Sequence, residues 1–436
     1  MKRPIVITLL IVALALVCAG IGAVIFFANG FQTNNPFDRR NIPSTLEETK
    51  TVKVDASKPL ALNVVDNAGD VTITGGDVKT VTVKAVKTAY DSSQARADAE
   101  VKGVKYTIEQ SGNTITLKYE IPDSMNFRNN VNTVDFVVTV PNEVTVDIKD
   151  NNGEVNIAST KGNVTVKNDF GNITLENIAG ALSAKTNSGE VNATSITAGS
   201  ENINLSSDFG AVTLKKAGGK NITLDSNSGT ITLSEVRATG ELSANTDFGN
   251  TKFENGSADT LHIETNSGKV SLGKVNVNKE IFVKNDFGDI DLVQALAASY
   301  DLHTNSGAIT VDGAKGKLKA DSDFGDITIS NAQSVTLTAE TNSGTVDFSG
   351  TLGTGPHLIK SDFGSIDISL PADTALNVDL KTDFGKIKSD LPVTVTLNGA
   401  SSNSDGAHVT GKINDGGEEL TVQANSGNIT IKVNSK

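Results

Sequence analysis

Carboxylates recur at a fixed interval along this chain, and they are the side chains whose spacing could support chemistry. Seven aspartates each precede a Phe-Gly pair: Asp169, Asp208, Asp247, Asp286, Asp323, Asp362 and Asp383. Two adjacent carboxylates could act as a glycosidase pair, and a column of oxygen ligands could hold calcium. An active site, however, is expected at one position where a repeat is interrupted, whereas these aspartates belong to the repeat itself. Asparagine occupies the alternate positions, which lowers the number of charged ligands. The spacing therefore favours neither a catalytic nor a metal site, and it predicts no cofactor.

The other reactive residue types are scarce. Tryptophan, which would stack on sugars, is absent, and the single cysteine, Cys18, lies in an apolar N-terminal segment. A disulfide within the chain and a cysteine–metal site are both excluded. Of the four histidines, His262 and His303 are expected to point outward, His357 inward, and His408 falls in an irregular repeat. A formal net charge of −13 argues against a nucleic-acid partner.

A short phrase repeated along the chain accounts for the regular spacing. Asp-Phe-Gly alternates with Asn-Ser-Gly, and the fourteen steps from Gly153 to Gly427 average about 19.6 residues. A fixed period near twenty indicates a solenoid, in which each coil buries its apolar face against its neighbours. The predicted fold is an all-β parallel β-helix or β-solenoid of about 14–15 coils, with an N-terminal β-rich cap and one N-terminal transmembrane helix.

Each coil has the same pattern around its glycine, counted as position zero. Positions +2 and +4 are apolar, as in Ile173 and Leu175, and so are positions −5 and −7, as in Val166 and Val164. This alternation predicts two half-buried strands with the glycine at a corner between them. Position −3 is small and polar, and we expect it to point inward and to bond backbone groups near the corner.

The positions just before the glycine are expected to form a structural ladder at this corner. By strand parity the phenylalanine at −1 should point inward and fill two levels above a small serine. At −2, alternating Asp and Asn should let amides donate to carboxylates and keep like charges two coils apart. The predicted ladder consists of Asp169, Phe170, Gly171, Asn187, Gly189, Asp208, Phe209, Gly210, Asn227, Gly229, Asp247, Phe248, Gly249, Asn266, Gly268, Asp286, Phe287, Gly288, Asn305, Gly307, Asp323, Phe324, Gly325, Asn342, Gly344, Asp362, Phe363 and Gly364.

The N-terminal residues indicate a membrane tether. Residues 1–28 begin with a basic MKRP and continue as an unbroken apolar run from Ile5 to Ala28, long enough to span a bilayer. A cleaved signal peptide is the alternative. Basic residues before the run place the N-terminus in the cytoplasm, so the bulk of the chain is expected outside the cell membrane as a single-pass protein. Residues 29–50 are polar and contain prolines, which predicts a flexible linker.

The two ends of the repeat region are irregular. Residues 51–150 are expected to form a first coil interrupted by a cap insertion, with a short helix at 92–101 and a hairpin turning at Gly112 and Asn113. Residues 151–436 are expected to form the solenoid. Near its end, Asp-Phe-Gly at 362–364 is followed by a second copy at 383–385, which would place Asp and Phe in neighbouring coils. Atypical terminal repeats are expected of a solenoid.

Two sequence features resemble a known family. They are the first repeat, LNVVDNAGDVTITGGD at 62–77, and the repeats of the types NGEVNI, SGEVNA and FGDITI from 152 onward. Over roughly residues 50–436 the chain resembles a family of bacterial β-strand-repeat proteins known as "putative adhesins", whose domain has no assigned function. The resemblance implies a membrane-anchored, surface-exposed, β-helix-like domain. The alternating Phe phrase departs from a more uniform Asn-Gly repeat, which bears on packing rather than on activity.

These observations predict a non-catalytic, membrane-tethered, extracytoplasmic solenoid that acts in surface contact or adhesion. Its partners would be the membrane, through the N-terminal helix, and a cell-surface, polysaccharide or envelope-protein ligand. One alternative is an accessory protein of an envelope stress-sensing membrane system, and another is a carbohydrate-active β-helix enzyme. At the corner, replacing Gly249 or Gly288 by valine should destabilise the fold, whereas replacing the surface residues Lys215 or Lys216 should not.

Overall fold

A computed structural model describes residues 42–122, 130–395 and 406–434. The predicted anchor at 1–28 and the linker residues 29–41 lie outside the described residues. Within the described ranges, no helix is long and apolar enough to cross a membrane.

The body is an all-β solenoid of about 11 turns. Its strands are β8 (Val144–Asn152), β9 (Val155–Ala158), β10 (Val164–Phe170), β11 (Ile173–Ala179), β12 (Leu182–Ser188), β13 (Val191–Thr197), β14 (Ile203–Phe209), β15 (Val212–Gly219), β16 (Ile222–Ser228), β17 (Ile231–Ala238), β18 (Glu241–Phe248), β19 (Thr251–Glu254), β20 (Ser257–Ala258), β21 (Thr260–Ser267), β22 (Val270–Gly273), β23 (Asn276–Val277), β24 (Glu280–Phe287), β25 (Ile290–Val293), β26 (Ser299–Ser306), β27 (Ile309–Asp312), β28 (Lys315–Phe324), β29 (Ile327–Ser343), β30 (Val346–Leu352), β31 (His357–Phe363) and β32 (Ile366–Leu370).

Each coil lays its strands parallel to the equivalent strands of the next coil. The strand before the corner glycine pairs in register with its counterpart, as β10 does with β12, and the strand after the glycine does the same, as β11 does with β13. The count of about 11 turns is smaller than the 14–15 coils predicted from the period, because neither end continues as sequential coiling. Strands at both ends nevertheless pair with the stack and lengthen it.

The core is formed by the columns that the alternation predicts. Ile173 and Leu175 at +2 and +4, and Val166 and Val164 at −5 and −7, are buried, and their equivalents are buried in most coils. Because each coil is too thin to enclose a core alone, the apolar columns from successive coils form one continuous core along the solenoid.

The N-terminal end carries a cap built from strands and one helix. Its elements are β1 (Ile42–Lys53), β2 (Leu60–Asp66), β3 (Val71–Gly76), β4 (Thr80–Asp91), α1 (Gln94–Gly103), β5 (Thr107–Ser111), β6 (Thr114–Tyr119) and β7 (Thr133–Pro141). The hairpin strand β6 pairs parallel with β2, and β7 pairs parallel with β3, so both extend the stack beyond the first coil. On the other side, β7, β4 and β1 pair antiparallel.

The prediction of a flexible linker at 29–50 is wrong for residues 42–50, which belong to strand β1. Residues 42–50 are paired along their whole length with β4 rather than being flexible. Most of the β1 side chains are exposed, so the strand shows little of the apolar alternation by which a strand is recognised in sequence. Backbone hydrogen bonds to the edge of β4 hold it in place.

The C-terminal end folds back into the stack. Its strands are β33 (Leu376–Phe384), β34 (Ile387–Ser389), β35 (Val393–Val395), β36 (Ala407–Ile413), β37 (Glu418–Ser426) and β38 (Ile429–Val433). Strand β37 pairs parallel with both β31 and β33, and β38 pairs with both β32 and β34. The last coil in the sequence therefore lies between the two coils that precede it.

Candidate functional site: the phenylalanine ridge

The corner glycines stack backbone against backbone. A Cβ atom placed on Gly288, which has φ of +149°, would lie 2.1 Å from the carbonyl oxygen of Gly268 in the preceding coil. Gly249 does not take a left-handed φ, yet its Cβ would lie just as close, 2.1 Å from Gly229 O. Close approach between coils, more than positive φ, requires glycine in this column.

The polar residues at −3 point inward and bond this glycine column, as the sequence predicts. Thr186 Oγ1 donates to Gly171 O at 3.1 Å, and Ser207 Oγ donates to Gly189 O at 2.7 Å. In each case the acceptor is the corner glycine of the preceding coil. Nine further coils repeat the bond, from Asn168, Ser226, Thr246, Asn285, Thr304, Ser322, Thr341, Ser361 and Thr382. The glycine carbonyls of these eleven rungs thereby accept a side-chain hydrogen bond. Thr265 is the exception, because its buried Oγ1 has no partner within the described residues.

The phenylalanines of this corner are on the surface, and the inward orientation predicted from parity is wrong. All seven side chains are between 57% and 65% exposed: Phe170, Phe209, Phe248, Phe287, Phe324, Phe363 and Phe384. Parity fails because the chain turns between position −3 and position +2, both of which point inward. The four residues between them, −2 to +1, lie on the outside of the turn. We call the seven side chains the phenylalanine ridge.

The ridge alternates strictly between phenylalanine and serine in space. Phe170 pairs with Ser188, which pairs with Phe209, and the alternation continues through Ser228, Phe248, Ser267, Phe287, Ser306, Phe324, Ser343 and Phe363. The serines at these rungs are exposed or half-buried. Successive rings are therefore separated by a rung that carries only a small serine side chain.

The C-terminal fold-back preserves the alternation where the sequence breaks it. Ser426 lies between Phe363 and Phe384, because β37 inserts between β31 and β33. The prediction that Asp and Phe repeat in neighbouring coils at 362–364 and 383–385 is therefore wrong. The ridge consists of thirteen rungs, seven with phenylalanine and six with serine. Twelve steps of about 4.8 Å give it a length of roughly 58 Å.

The aspartates and asparagines at −2 form a second column beside the ridge. Asn187 Nδ2 donates to Asp169 Oδ1 at 2.9 Å. Equivalent bonds of 2.9 to 3.3 Å join Asn266 to Asp247, Asn305 to Asp286, and Asn342 to Asp323. These amide–carboxylate bonds are the ones that the ladder predicts. No group of three or more His, Cys, Asp or Glu side chains within the described ranges is placed to hold a metal ion.

The inward −3 column begins with two buried carboxyl groups instead of amides or hydroxyls. Asp66 and Asp150 are paired across β2 and β8. Burial, together with a smaller effect of neighbouring carboxylates, raises the pKa of Asp66 to about 8 and that of Asp150 to about 7. Within the described residues, Oδ2 of each accepts no hydrogen bond. A protonated carboxyl at Asp150 can donate as the Asn168 amide does one rung further along.

The histidines occupy structural positions. His357 is buried as predicted, with the Leu337 N–H donating to Nδ1 at 3.2 Å and Nε2 lying 3.2 Å from Gly353 O. Burial lowers the His357 pKa, which favours the neutral ring. His262 is half-exposed and stacks on Phe282 with ring centroids 4.6 Å apart. His408 is exposed and lies 2.7 Å from Asp379.

Most coils have a second corner, which the sequence analysis did not predict. Six residues after most corner glycines the backbone is left-handed, although the residue there is seldom glycine. Nine such residues have φ between 52° and 62°: Ser159, Asn177, Ser195, Lys216, Glu235, Asn255, Lys274, Gln294 and Asn331. The next residue, such as Ile178, points into the core. The signal that could have found this corner is the apolar residue at +7, whose odd offset breaks the even spacing of +2 and +4.

A family model described as Toastrack DUF4097 matches residues 60–254, 182–319 and 255–432. The chain belongs to the Toastrack DUF4097 family. This confirms the resemblance drawn from the repeats. No curated protein sequence matches this Toastrack chain.

Three solved structures, each named as "putative", are similar to the Toastrack chain. A cell adhesion protein of Clostridium sporogenes is 11% identical with a TM-score of 0.18, covering 90% of this chain and 100% of its own. An adhesin of Bacteroides fragilis is 17% identical with a TM-score of 0.31, and the match covers 66% of this chain and 97% of that protein. A lipid-binding protein of Parabacteroides distasonis is 16% identical with a TM-score of 0.20, and the match covers 72% of this chain and 96% of that protein.

Proposed function

We propose that this Toastrack protein is a non-catalytic surface-contact protein, an adhesin, tethered to the cell membrane by its N-terminal segment with the solenoid outside the cell. The observation that carries the proposal is the phenylalanine ridge. Seven exposed rings in a line form an apolar strip that a monomeric soluble domain does not ordinarily leave open. Apolar strips of this kind mark surfaces that contact another macromolecule or a membrane.

The surroundings of the ridge support contact rather than catalysis. The carboxylates that directly precede the rings in sequence are the −2 aspartates, and four of them accept hydrogen bonds from the asparagine of the next rung. The two carboxyl groups with strongly raised pKa values, Asp66 and Asp150, are buried inside the stack, where no substrate reaches them. The chemistry on offer at the ridge is apolar packing with an adjacent polar column.

The test is adhesion by the full-length chain reconstituted in phosphatidylcholine vesicles. The vesicles are presented to intact bacterial cells, to isolated cell envelope and to vesicles that carry the same chain. We expect saturable binding to at least one of these surfaces. The variant F248S/F287S/F324S should abolish it, because it introduces at three rungs the residue that neighbouring rungs already have and so leaves the fold intact. Binding to none of the three surfaces would contradict an adhesive function.

A further inference from the structure

The alternation of the ridge fixes the size of its gaps. Neighbouring rungs lie about 4.8 Å apart, so successive phenylalanines lie about 9.6 Å apart with a serine between them. A ring inserted at a serine rung would lie about 4.8 Å from the ring on either side. Paired aromatic rings in proteins have centroids 4.5 to 7 Å apart. Each gap is therefore the right width for one further aromatic ring.

A second copy of this chain supplies rings at this spacing. We propose that two solenoids pair antiparallel along their phenylalanine ridges, offset by one rung, so that the rings of one copy fill the serine gaps of the other. This proposal rests on the adhesive function proposed above and names its partner.

The antiparallel orientation follows from symmetry. Closed homodimers usually have a two-fold axis. An axis parallel to the solenoids would place rungs of equal height opposite each other, ring against ring. An axis perpendicular to both solenoids and passing between two rungs exchanges odd and even rungs, so each phenylalanine faces a serine. Only the antiparallel two-fold pairing therefore interdigitates.

The polar column fits the same arrangement. A two-fold axis perpendicular to the solenoids keeps the two −2 columns on the same side of the interface. With the one-rung offset, each aspartate of one copy lies level with an asparagine of the other. The pairing between copies then repeats the amide–carboxylate pairing seen within each copy, where Asn187 donates to Asp169. A pairing without the offset would place aspartate against aspartate.

The exposed area matches what a stable dimer requires. A phenylalanine side chain buries about 150–250 Å² when fully enclosed, and the seven rings are 57% to 65% exposed. Together they offer roughly 600–1,100 Å² on each copy. A standard protein–protein interface buries about 800 Å² per partner. The ridge alone therefore supplies most of such an interface.

An anionic lipid surface is the less suitable occupant. An aspartate lies directly before every phenylalanine of the ridge, so a membrane approaching the rings would meet seven carboxylates. The fold-back at the C-terminus also favours a partner with matching periodicity. It places Ser426 between Phe363 and Phe384 and so extends the strict alternation over thirteen rungs. A fluid bilayer has no fixed spacing that could match this alternation.

Antiparallel pairing has a consequence for adhesion. The N-termini of the two copies lie at opposite ends of the pair. If each copy is tethered through its N-terminus as proposed, the pair joins two membranes that face each other. The ridge would thus make a cell adhere to another cell that displays the same protein.

The first test is sedimentation equilibrium of the full-length chain in a density-matched non-ionic detergent. We expect a monomer–dimer equilibrium, which F248S/F287S/F324S should weaken about 100-fold or more because it removes three central rings. The decisive variant is S228F/S267F/S306F, which fills three gaps. An interdigitated dimer loses affinity when its gaps are filled, whereas unspecific association of apolar surfaces becomes stronger. Lys215→Ser, away from the ridge, is the control.

Three outcomes would overturn the pairing: a monomeric wild-type chain, a dimer that neither triple variant weakens, or a dimer that the gap-filling variant strengthens. Thermal unfolding of each variant, with a midpoint within a few degrees of wild type, excludes loss of fold as the cause. The vesicle experiment separates this proposal from the adhesive function. Vesicles that bind cells or envelope but not each other would leave adhesion standing and refute pairing between copies.

Discussion

At the scale of single residues, the buried carboxyl group of Asp150 makes stability depend on pH. Its pKa is raised in the folded chain to about 7 from an ordinary 3.8. The folded state then binds more protons than the unfolded state between pH 4 and 7, so stability falls as pH rises through that window. Asp66, with a pKa of about 8, extends the loss to higher pH. Most proteins lose stability in the opposite direction, because their paired carboxylates are protonated in acid.

Replacement of Asp150 by asparagine should remove its part of this loss. The amide matches Asn168, which occupies the same column one rung along and donates to Gly153 O at 2.8 Å. We expect Asp150→Asn to raise the free energy of unfolding at pH 8 by about 2–4 kcal/mol and to have little effect at pH 4. Urea unfolding at both pH values measures the difference. The exposed Asp147 on the same strand provides the control, Asp147→Asn; equal effects of the two variants would refute the assignment.

The corner glycines give a second prediction at this scale. A valine at Gly288 would place its Cβ 2.1 Å from Gly268 O, and the backbone carbonyl has no room to move without shifting a whole coil. We expect Gly288→Val to lower the free energy of unfolding by about 4 kcal/mol or more. Lys215→Val, on the exposed face, should cost less than about 1 kcal/mol. Chemical unfolding that shows similar losses for both variants would contradict the corner assignment.

At the scale of the coil, the left-handed position at +6 forms a second corner. Lys216 has φ of 52°, a conformation that costs a non-glycine residue roughly 1 kcal/mol and a β-branched residue more. It is therefore not equivalent to Lys215, although both looked like interchangeable surface lysines. We expect Lys216→Gly to keep or raise the thermal unfolding midpoint and Lys216→Val to lower it by several degrees. The reverse order would show that the second corner is not held in this conformation.

Strand β37 gives a prediction about the fold-back. It lies near the end of the chain, yet β31 and β33 pair with it on both sides. In the described part of the chain, β35 pairs only with β36. Amide hydrogens of β37 should therefore exchange much more slowly than those of β35. Hydrogen exchange followed by mass spectrometry measures both, and rapid exchange throughout 418–426 would contradict the insertion of the last coil.

How far the sequence predicts this fold depends on the range of the interaction. Local alternation correctly identifies the inward columns around Gly171, and the period identifies the stacking. Parity fails at Phe170, because it was carried across a turn in which four successive residues face outward. The insertion of β37 is equally hidden, since the residues that fix it are paired across β31 and β33 rather than along the chain. Backbone strain at Lys216 leaves no compositional trace.

At the scale of the whole molecule, the length of the glycine column sets the distance over which a paired adhesin would act. The column begins at Gly69 and ends at Gly385, with Gly427 as its last but one member because β37 lies between β31 and β33. Its fourteen steps of about 4.8 Å give a length of roughly 67 Å. Two copies that overlap along the ridge would hold their tethered ends apart by at least this distance. The cap adds to it at each end.

Vesicles that carry the full-length chain should therefore adhere with a uniform gap of about 70 Å or somewhat more between their membranes. Cryo-electron tomography of the adhering vesicles measures the gap directly. Parallel pairing would keep both copies on one membrane and produce no adhesion. Contact of the solenoid tip with the opposite bilayer would survive in F248S/F287S/F324S, whereas antiparallel pairing would not. A uniform gap in the wild type that disappears in this variant is the result that antiparallel pairing requires.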